Sequence, residues 1–93
     1  MRLTGKTVLK EFFDSHADAR TWISAWVAEV EDASWETPQD IKDRYRSASF
    51  LPGNTVVLNV KGNHYRLVCK VAYKSQIVTV VWVGTHAEYS KLY

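Results

Sequence analysis

The stretch TVVLNVKGNHYRLVCKVAYKSQIVTVVWV, residues 55–83, decides the fold of this chain. It contains three runs that are rich in β-branched and aromatic residues, a composition typical of strands. Lys61-Gly62-Asn63 and Lys74-Ser75 separate the runs and have the composition of tight turns. Three strands joined in order by short turns predict an antiparallel meander.

Alternation along the middle run, residues 64–73, divides its side chains between two faces of the sheet. One set is expected to pack against a core: Tyr65, Leu67, Cys69, Val71 and Tyr73. The other set carries a basic stripe and is expected to face solvent: His64, Arg66, Val68, Lys70 and Ala72. Cys69 is the only cysteine, so no disulfide can form within the chain. Its place within a strand favours a buried, unreactive thiol over a nucleophile.

The residues that precede the strands predict helices. Apolar residues recur at helical spacing between residues 22 and 30 and indicate an amphipathic helix whose two tryptophans pack in the core. A shorter helix is expected before it, around Leu9 and Phe12, with Thr4 or Thr7 as its N-cap.

Two cap signals mark further helix starts. Ser15 with Asp18 three residues later resembles a capping box, which would begin the long helix. Thr37-Pro38 pairs an N-cap with a proline at the first helical position, and this predicts a short third helix through about Arg44.

Helices followed by strands predict an α+β fold, with N-terminal helices packed on one face of a small antiparallel β-sheet and a short C-terminal helical turn. Arg2-Leu3-Thr4 is expected to add an edge strand, and Pro52-Gly53 to form a loop. The length suits one domain, residues 1–93. No apolar run reaches the roughly 20 residues that span a bilayer, and the first residues lack a signal core. A cytoplasmic protein without a membrane partner is therefore expected.

Charge divides unevenly along the chain. Residues 1–40 contain four basic and eight acidic residues, a net charge of −4, whereas residues 41–93 contain eight basic and two acidic residues, a net charge of +6. This asymmetry fits a polyanion-binding surface on the C-terminal half, and it fits an ordinary solvated basic face equally well.

The segment WVGTHAEYSKLY, residues 82–93, places several titratable groups after the last run. Thr85 and Glu88 have capping-box spacing, which predicts a final helical turn and a structural role for Glu88. Three rings share one face of that turn by their spacing: His86, Tyr89 and Tyr93.

Strand pairing is expected to bring this turn to the basic stripe. A hairpin that turns at residues 74–75 places residue 83 beside residues 65–67. His86 then lies close to Arg66 and to the turn at residues 61–63. Two polar clusters that are distant in sequence therefore meet.

Arg66, His86 and Tyr89 are side-chain types that suit metal-free RNA cleavage. Arginine is a forked, permanently charged donor to phosphate oxygens, histidine titrates near neutral pH, and tyrosine can transfer a proton or stack on a nucleobase. One group would remove the 2′-hydroxyl proton, the cation would stabilise the phosphoryl charge, and another group would protonate the leaving oxygen. These residue types are common, and arginine, histidine and tyrosine also occur close together at sites that catalyse no reaction.

Other kinds of site lack their signals. His16, His64 and His86 have no close metal-ligand spacing, and the chain has neither a phosphate-binding glycine loop nor a Ser-His-Asp pattern. No metal or cofactor is therefore expected. Arg44 and Arg46 follow the third predicted helix, where they either contact phosphates or stabilise the end of that helix through its dipole.

Three segments carry a family resemblance: RYRSASFL at 44–51, VVLNVKGNHYRLV at 56–68 and YKSQIVTVVWVGTHAEYSKL at 73–92. In this order and spacing they resemble the HigB-type toxins of bacterial type II toxin–antitoxin systems, which belong to the RelE-like superfamily. The resemblance implies a small α+β toxin that enters the ribosomal A site and cuts mRNA without a metal. It also implies a cognate HigA-like helix-turn-helix antitoxin as partner.

By position, the resemblance implies that Arg66 stabilises the phosphoryl charge and that His86 and Tyr89 transfer protons, with Tyr89 also able to stack on a base. The surrounding basic residues are the expected RNA contacts: Arg44, Arg46, Lys61, His64, Lys70 and Lys91. The sequence departs from the family pattern at His64, where lysine is usual, and at Ser90, where aspartate is usual. The alternatives are a non-cleaving member of the same superfamily and a module that only holds single-stranded RNA.

Overall fold

The computed structural model describes all residues from Met1 to Tyr93. In chain order the elements are β1 (Arg2–Thr4), α1 (Lys6–Ser15), a 3₁₀ turn (Ala17–Ala19), α2 (Arg20–Asp32), α3 (Pro38–Arg44), β2 (Ser49–Leu51), β3 (Thr55–Val60), β4 (Tyr65–Ala72), β5 (Ile77–Thr85) and α4 (His86–Leu92). This is the predicted α+β class. None of the helices has the length and apolar character that crossing a membrane requires.

The sheet has five strands in the order β1-β5-β4-β3-β2. Strands β2 to β5 form an antiparallel meander, which confirms the predicted pairing of the three longer runs. The predicted edge strand at Arg2–Thr4 is also confirmed, but it runs parallel to β5, so the sheet is mixed and not wholly antiparallel. The parallel pair arises because β1 continues into the helices, which carry the chain to the far edge of the sheet before the meander begins.

Strand β2 was not predicted, because its three residues are too few for alternation to reveal. It pairs with β3 through a tight turn at residues 52–54, so the expected loop at Pro52-Gly53 is the connection of a hairpin. Gly53 and Asn54 both have positive φ angles there, 78° and 57°. Glycine and asparagine adopt this backbone conformation most readily, which explains why the hairpin closes at these two residues.

A β-bulge interrupts the pairing of β4 with β5. Val68 pairs with Trp82 and Cys69 pairs with Val80, so Val81 is an extra residue without a partner. Simple alternation would put Trp82 on the same face as Val80. The bulge reverses this and places Trp82 on the face that carries Arg66, while Val83 turns towards the core.

The core lies between one face of the sheet and helices α1 to α3. It is a cluster of 17 buried residues that includes Leu9 and Phe12 of α1, together with Ile23, Trp26 and Val30 of α2. The strands contribute mainly Val, Leu and Cys69. Burial raises the pKa of the Cys69 thiol to about 12, which confirms the interpretation of Cys69 as a buried, unreactive thiol.

Two of the four predicted helix caps are correct. Thr37 with Asp40 and Thr85 with Glu88 both form complete capping boxes at the starts of α3 and α4. Both boxes join side-chain and backbone groups three residues apart, so sequence spacing indicates where they can form.

The cap predictions for the first two helices are wrong. Gly5 with a φ of 83°, and neither Thr4 nor Thr7, precedes α1. A Cβ at Gly5 would lie 2.7 Å from the carbonyl oxygen of Val80, so tertiary packing against β5 requires glycine here. Ser15 is the last residue of α1 and forms no capping box, because Asp18 is bound to another part of the chain.

Candidate functional site

The start of α4 is tied to the turn between β3 and β4. Thr85 pairs with Tyr65 across the sheet, and the next N–H, that of His86, donates a hydrogen bond of 3.1 Å to the carbonyl oxygen of His64. The predicted proximity of residue 83 to residues 65–67 is also confirmed, since Val83 pairs with Leu67. The two polar clusters that the sequence separates therefore meet in the structure.

The capping box of α4 fixes the orientation of its first turn. The Thr85 N–H donates to Glu88 Oε1 at 2.9 Å, and the Glu88 N–H donates to Thr85 Oγ1 at 3.2 Å. The bond from the Thr85 N–H holds the pKa of Glu88 below its usual value of 4.5, so the carboxylate is charged at neutral pH. Glu88 has the structural role that its spacing predicted.

Arg66 lies on β4 and pairs with Gly84 of β5, and Gly84 is two residues before His86. Its Nη2 donates to Asn63 Oδ1 at 2.8 Å and its Nη1 to the Tyr65 carbonyl oxygen at 3.2 Å. The chain has four salt bridges, and Arg66 takes part in none of them. The guanidinium is thus positioned by neutral acceptors, its charge is not neutralised, and its Nε–H makes no bond within the chain.

Two candidate proton-transfer groups lie on the first turn of α4. His86 is exposed and its ring makes no hydrogen bond within the chain. Tyr89 is half-buried and its ring stacks on Tyr93, with centroids 5.0 Å apart and an interplanar angle of 17°. The prediction that Tyr89 and Tyr93 share a face is confirmed.

Trp82 extends this group of rings onto the sheet. Its ring centroid is 6.3 Å from those of both Tyr89 and Tyr93. The indole also reaches over Gly84, because a Cβ built there would lie only 2.5 Å from Cη2 and Cζ2 of Trp82. We call these three residues, Trp82, Tyr89 and Tyr93, the aromatic cluster. Glycine at position 84 makes room for it beside Arg66.

Four of the expected RNA contacts belong to the elements that carry these groups, namely β4, the β3–β4 turn and α4. Lys61 and His64 belong to the β3–β4 turn, and the imidazole Nδ1 of His64 is 3.1 Å from the Lys61 carbonyl oxygen. Lys70 is exposed and pairs with Thr79, and it lies on the same face of the sheet as Arg66 because side chains alternate along β4. Lys91 is exposed in the last turn of α4.

The other two expected contacts, Arg44 and Arg46, are not brought to this site. Arg44 forms an ion pair with Glu29 of α2, and its guanidinium lies over the Tyr45 ring at 5.0 Å. It therefore has a structural role on the helical side of the sheet. Arg46 is exposed beside α3 and forms no salt bridge.

The strands that carry the site contain no carboxylate. No Asp or Glu occurs between Asp43 and Glu88. Lys61 and Arg44 are the only cations in that interval that pair with an acid, and both acids, Asp18 and Glu29, come from the helical half. The positive charge of Arg66 and its neighbours on the sheet is therefore available to an anionic ligand. No group of three or more His, Cys, Asp or Glu side chains is arranged to hold a metal ion.

Asp18 is a contributor that the sequence interpretation missed. It accepts hydrogen bonds from the Tyr65 hydroxyl at 2.7 Å and from Lys61 Nζ at 3.2 Å, and so it ties the 3₁₀ turn to the residue before Arg66. The Tyr65 hydrogen bond is the main cause that lowers the pKa of Asp18 from its usual 3.8. The same bond raises the pKa of Tyr65 above 10.

Removing the Tyr65 hydroxyl is expected to weaken the acid dependence of stability. The folded-state pKa of Asp18 is depressed, so its contribution to stability is present above pH 3.8 and is lost as the pH falls through the lower folded value. Tyr65→Phe should therefore lower the melting temperature at neutral pH and flatten its decline below pH 3.8. Thermal unfolding followed by circular dichroism measures both.

Tyr73→Phe is the matched control for this prediction. Tyr73 follows β4, at the opposite end of that strand from Tyr65, but its hydroxyl makes no hydrogen bond within the chain. That variant should keep the full decline below pH 3.8. An equal decline in wild type and Tyr65→Phe would show that Asp18 does not stabilise the fold through this bond.

Two other contributors are Asn63, which carried only a weak sequence signal, and Trp82, which carried none. Asn63 was interpreted as a turn residue, and its spacing of three from Arg66 was the one indication that its amide could hold the guanidinium. Trp82 had no such indication, because the bulge that decides its face depends on the pairing of two strands.

Comparison with protein families supplies independent information. A family model described as HigB_toxin, RelE-like toxic component of a toxin-antitoxin system, matches residues 19–92. This match covers 74 of the 93 residues and includes every element from α2 to α4. No curated protein matches the chain.

Proposed function

Because this chain belongs to the HigB family of RelE-like toxins, the toxic components of toxin–antitoxin systems, we propose that it is a ribosome-dependent mRNA interferase. In this proposal residues 1–93 act in the cytoplasm as one toxin domain, enter the ribosomal A site and cut messenger RNA without a metal or cofactor. The family implies an antitoxin partner. We propose that this partner is HigA-like and has a helix-turn-helix domain.

The observation that carries the proposal is the junction between β4, β5 and α4. Arg66 pairs with Gly84, and the His86 N–H is bonded to His64, so the backbone positions of one permanently charged donor and of two candidate proton-transfer groups lie at the same end of the β4–β5 pair, which supports the proposal. The guanidinium is unpaired, which leaves it free to bind a phosphate.

The proposed reaction is the transfer of a phosphoryl group from O5′ to O2′ within the RNA. A base on α4 removes the proton of the 2′-hydroxyl, the O2′–P bond forms, and the P–O5′ bond breaks. A second group donates a proton to the leaving O5′, so the products are a 2′,3′-cyclic phosphate and a 5′-hydroxyl. Arg66 stabilises the negative charge that builds on the non-bridging oxygens. His86 and Tyr89 carry the two proton transfers.

The RNA backbone would be bound by the cations around that junction. Lys61, His64, Lys70 and Lys91 are exposed and flank Arg66 or the aromatic cluster. Arg44 is outside this set because it is bound to Glu29 on the helical side of the sheet, whereas Lys61 is in the β3–β4 turn and would exchange its exposed ion pair with Asp18 for an RNA phosphate. The sixth expected contact, Arg46, is exposed and unpaired beside α3, and we assign it to a phosphate outside the catalytic site.

Primer-extension mapping of messages after induced expression tests the proposal. We expect new 5′ ends within translated frames and none when the adjacent gene product, the proposed antitoxin, is co-expressed. The control is the same message with its start codon removed, which should remain uncut. Equal cutting of the untranslated message would contradict ribosome dependence, and growth inhibition without any new ends would contradict cleavage.

A module that holds single-stranded RNA without cutting it is the second candidate, since unpaired cations beside aromatic rings also serve that function. Arg66→Ala and His86→Ala distinguish the two candidates. If both variants lose message cleavage but still sediment with ribosomes, the nuclease is supported. If both retain full toxicity, the binding module is supported.

A further inference from the structure

Trp82 has no role in the reaction proposed above, yet it lies within the same site. The bulge at Val81 turns it out of the core and onto the face of Arg66. Its ring reaches along β5 as far as Gly84, the residue that pairs with Arg66. An indole and a guanidinium therefore extend from neighbouring strands at one place on the sheet.

The stacking within the aromatic cluster limits where a nucleobase can bind. Tyr89 and Tyr93 lie nearly parallel with their centroids 5.0 Å apart, so each ring covers one face of the other. Trp82 meets both tyrosines at tilted angles of 44° and 60°, so none of its contacts with them is parallel stacking. The indole is partly exposed and Tyr93 is 55% exposed. Trp82 is therefore the ring of the cluster that has no parallel stacking partner, and Tyr93 is the most exposed of the three rings.

The charges around the cluster define the ligand. Arg66 and Lys70 lie on the same face, neither forms a salt bridge, and no strand of the sheet contains an acid. The acid beside the cluster, Glu88, accepts the Thr85 N–H in its own capping box. A ligand that fits this surface carries negative charges and planar rings at short intervals. Single-stranded RNA has both, and aromatic side chains beside cations are the usual means of binding it.

We propose that Trp82, supported by Tyr93, is the stacking site for one unpaired nucleobase of the RNA, next to the phosphate bound at Arg66. This rests on the proposed function for the identity of the ligand. It assigns base stacking to Trp82 and Tyr93 and reserves Tyr89 for proton transfer. Trp82 would thereby position one nucleotide beside the scissile phosphate.

Binding of short oligonucleotides tests this inference separately from cleavage. The probe is a 2′-O-methyl RNA heptamer, which lacks the attacking hydroxyl, and a set of the same heptamers with one abasic nucleotide at each position in turn. Affinities are measured by fluorescence anisotropy. In wild type, one position should show a loss of about tenfold when its base is absent, the size expected for one base stacked on an aromatic ring.

In Trp82→Ala that position-specific loss should disappear, because the base has no indole to stack on even when it is present. Trp82→Phe keeps an aromatic face and should retain part of the loss. The matched control is Trp22→Ala, since Trp22 is another partly buried indole whose centroid is also 6.3 Å from a tyrosine, Tyr45, but on the helical side of the sheet. This control should keep the wild-type pattern.

Three results would overturn the inference: no binding of the heptamer, no position-dependent loss in wild type, or the same loss in Trp82→Ala as in wild type. The last result would assign Trp82 to packing alone. Message mapping distinguishes these outcomes from failure of the nuclease proposal. A protein that stacks the base but never cuts would retain the binding pattern, whereas a nuclease that does not stack there would cut without it.

Discussion

Arg66→Ala is expected to lower the rate of message cleavage about 100- to 1,000-fold, the usual consequence of removing one preorganised donor from a developing negative charge. The guanidinium is held by Asn63 Oδ1 and by the Tyr65 carbonyl oxygen, and no carboxylate neutralises it. The positive charge of Arg66 is therefore available to the ligand, because no group within the fold neutralises it. Cleavage of a defined message on purified ribosomes measures the effect.

The same substitution should change the unfolding free energy by less than about 1 kcal/mol, because it removes hydrogen bonds to neutral groups near the surface and leaves no buried charge behind. Arg66→Lys keeps the charge but loses the planar fork, so its rate should lie between those of wild type and Arg66→Ala. These variants separate the contribution of charge from that of geometry.

Arg44→Ala is the matched control for Arg66. Both arginines lie in the basic half of the chain, but Arg44 is bound to Glu29 and lies over Tyr45. Its loss should cost at most about 1 kcal/mol of stability, as for an exposed ion pair, and should leave cleavage at the wild-type rate. Wild-type cleavage in Arg66→Ala, or equal losses in both variants, would contradict the assignment of Arg66.

His86→Ala is expected to lower cleavage about 100- to 10,000-fold, the range for loss of a group that transfers a proton in the transition state. His86 is exposed at the start of α4, and its position is set by backbone bonds that alanine can also make. The variant should therefore fold normally. Because the side chain is open to solvent, imidazole added to the buffer should restore part of the rate.

His64→Ala is the control for His86, since it removes a second exposed imidazole from the adjacent turn. As an RNA contact only, His64 should contribute less than about tenfold, and imidazole should not restore its loss. Imidazole should also fail to restore Arg66→Ala. If His64→Ala loses as much rate as His86→Ala, or if His86→Ala keeps the wild-type rate, the proton-transfer role belongs elsewhere.

Local signals were enough to predict much of the fold and the location of the site. The capping boxes at Thr37 and Thr85 depend on side chains and backbone only three residues apart, and both are present. The short turn between β4 and β5 sets the register of the hairpin to within one residue, so the proximity of Val83 to residues 65–67 follows from counting residues, whereas its pairing with Leu67 results from the bulge. The convergence of the α4 start with the β3–β4 turn follows from that register.

Features that depend on tertiary contacts could not be predicted in this way. Gly5 replaces the expected threonine cap because β5 leaves no room for a Cβ, and that restriction is visible only when the strands are packed. Asp18 has the spacing of a capping residue, but Tyr65 and Lys61, more than 40 residues away, bind it instead. The bulge at Val81 moves Trp82 to the site, and alternation alone would place it in the core.

The most direct test of the shared site is an NMR titration of isotope-labelled protein with the 2′-O-methyl RNA heptamer. If Arg66, His86 and Tyr89 bind one ligand, the Arg66 Nε–Hε signal and the ring signals of the other two should shift together with a single dissociation constant. The Arg44 Nε–Hε signal, on the helical side, should remain unchanged. Different dissociation constants for Arg66 and His86, or a shift at Arg44 with none at Arg66, would contradict a common site.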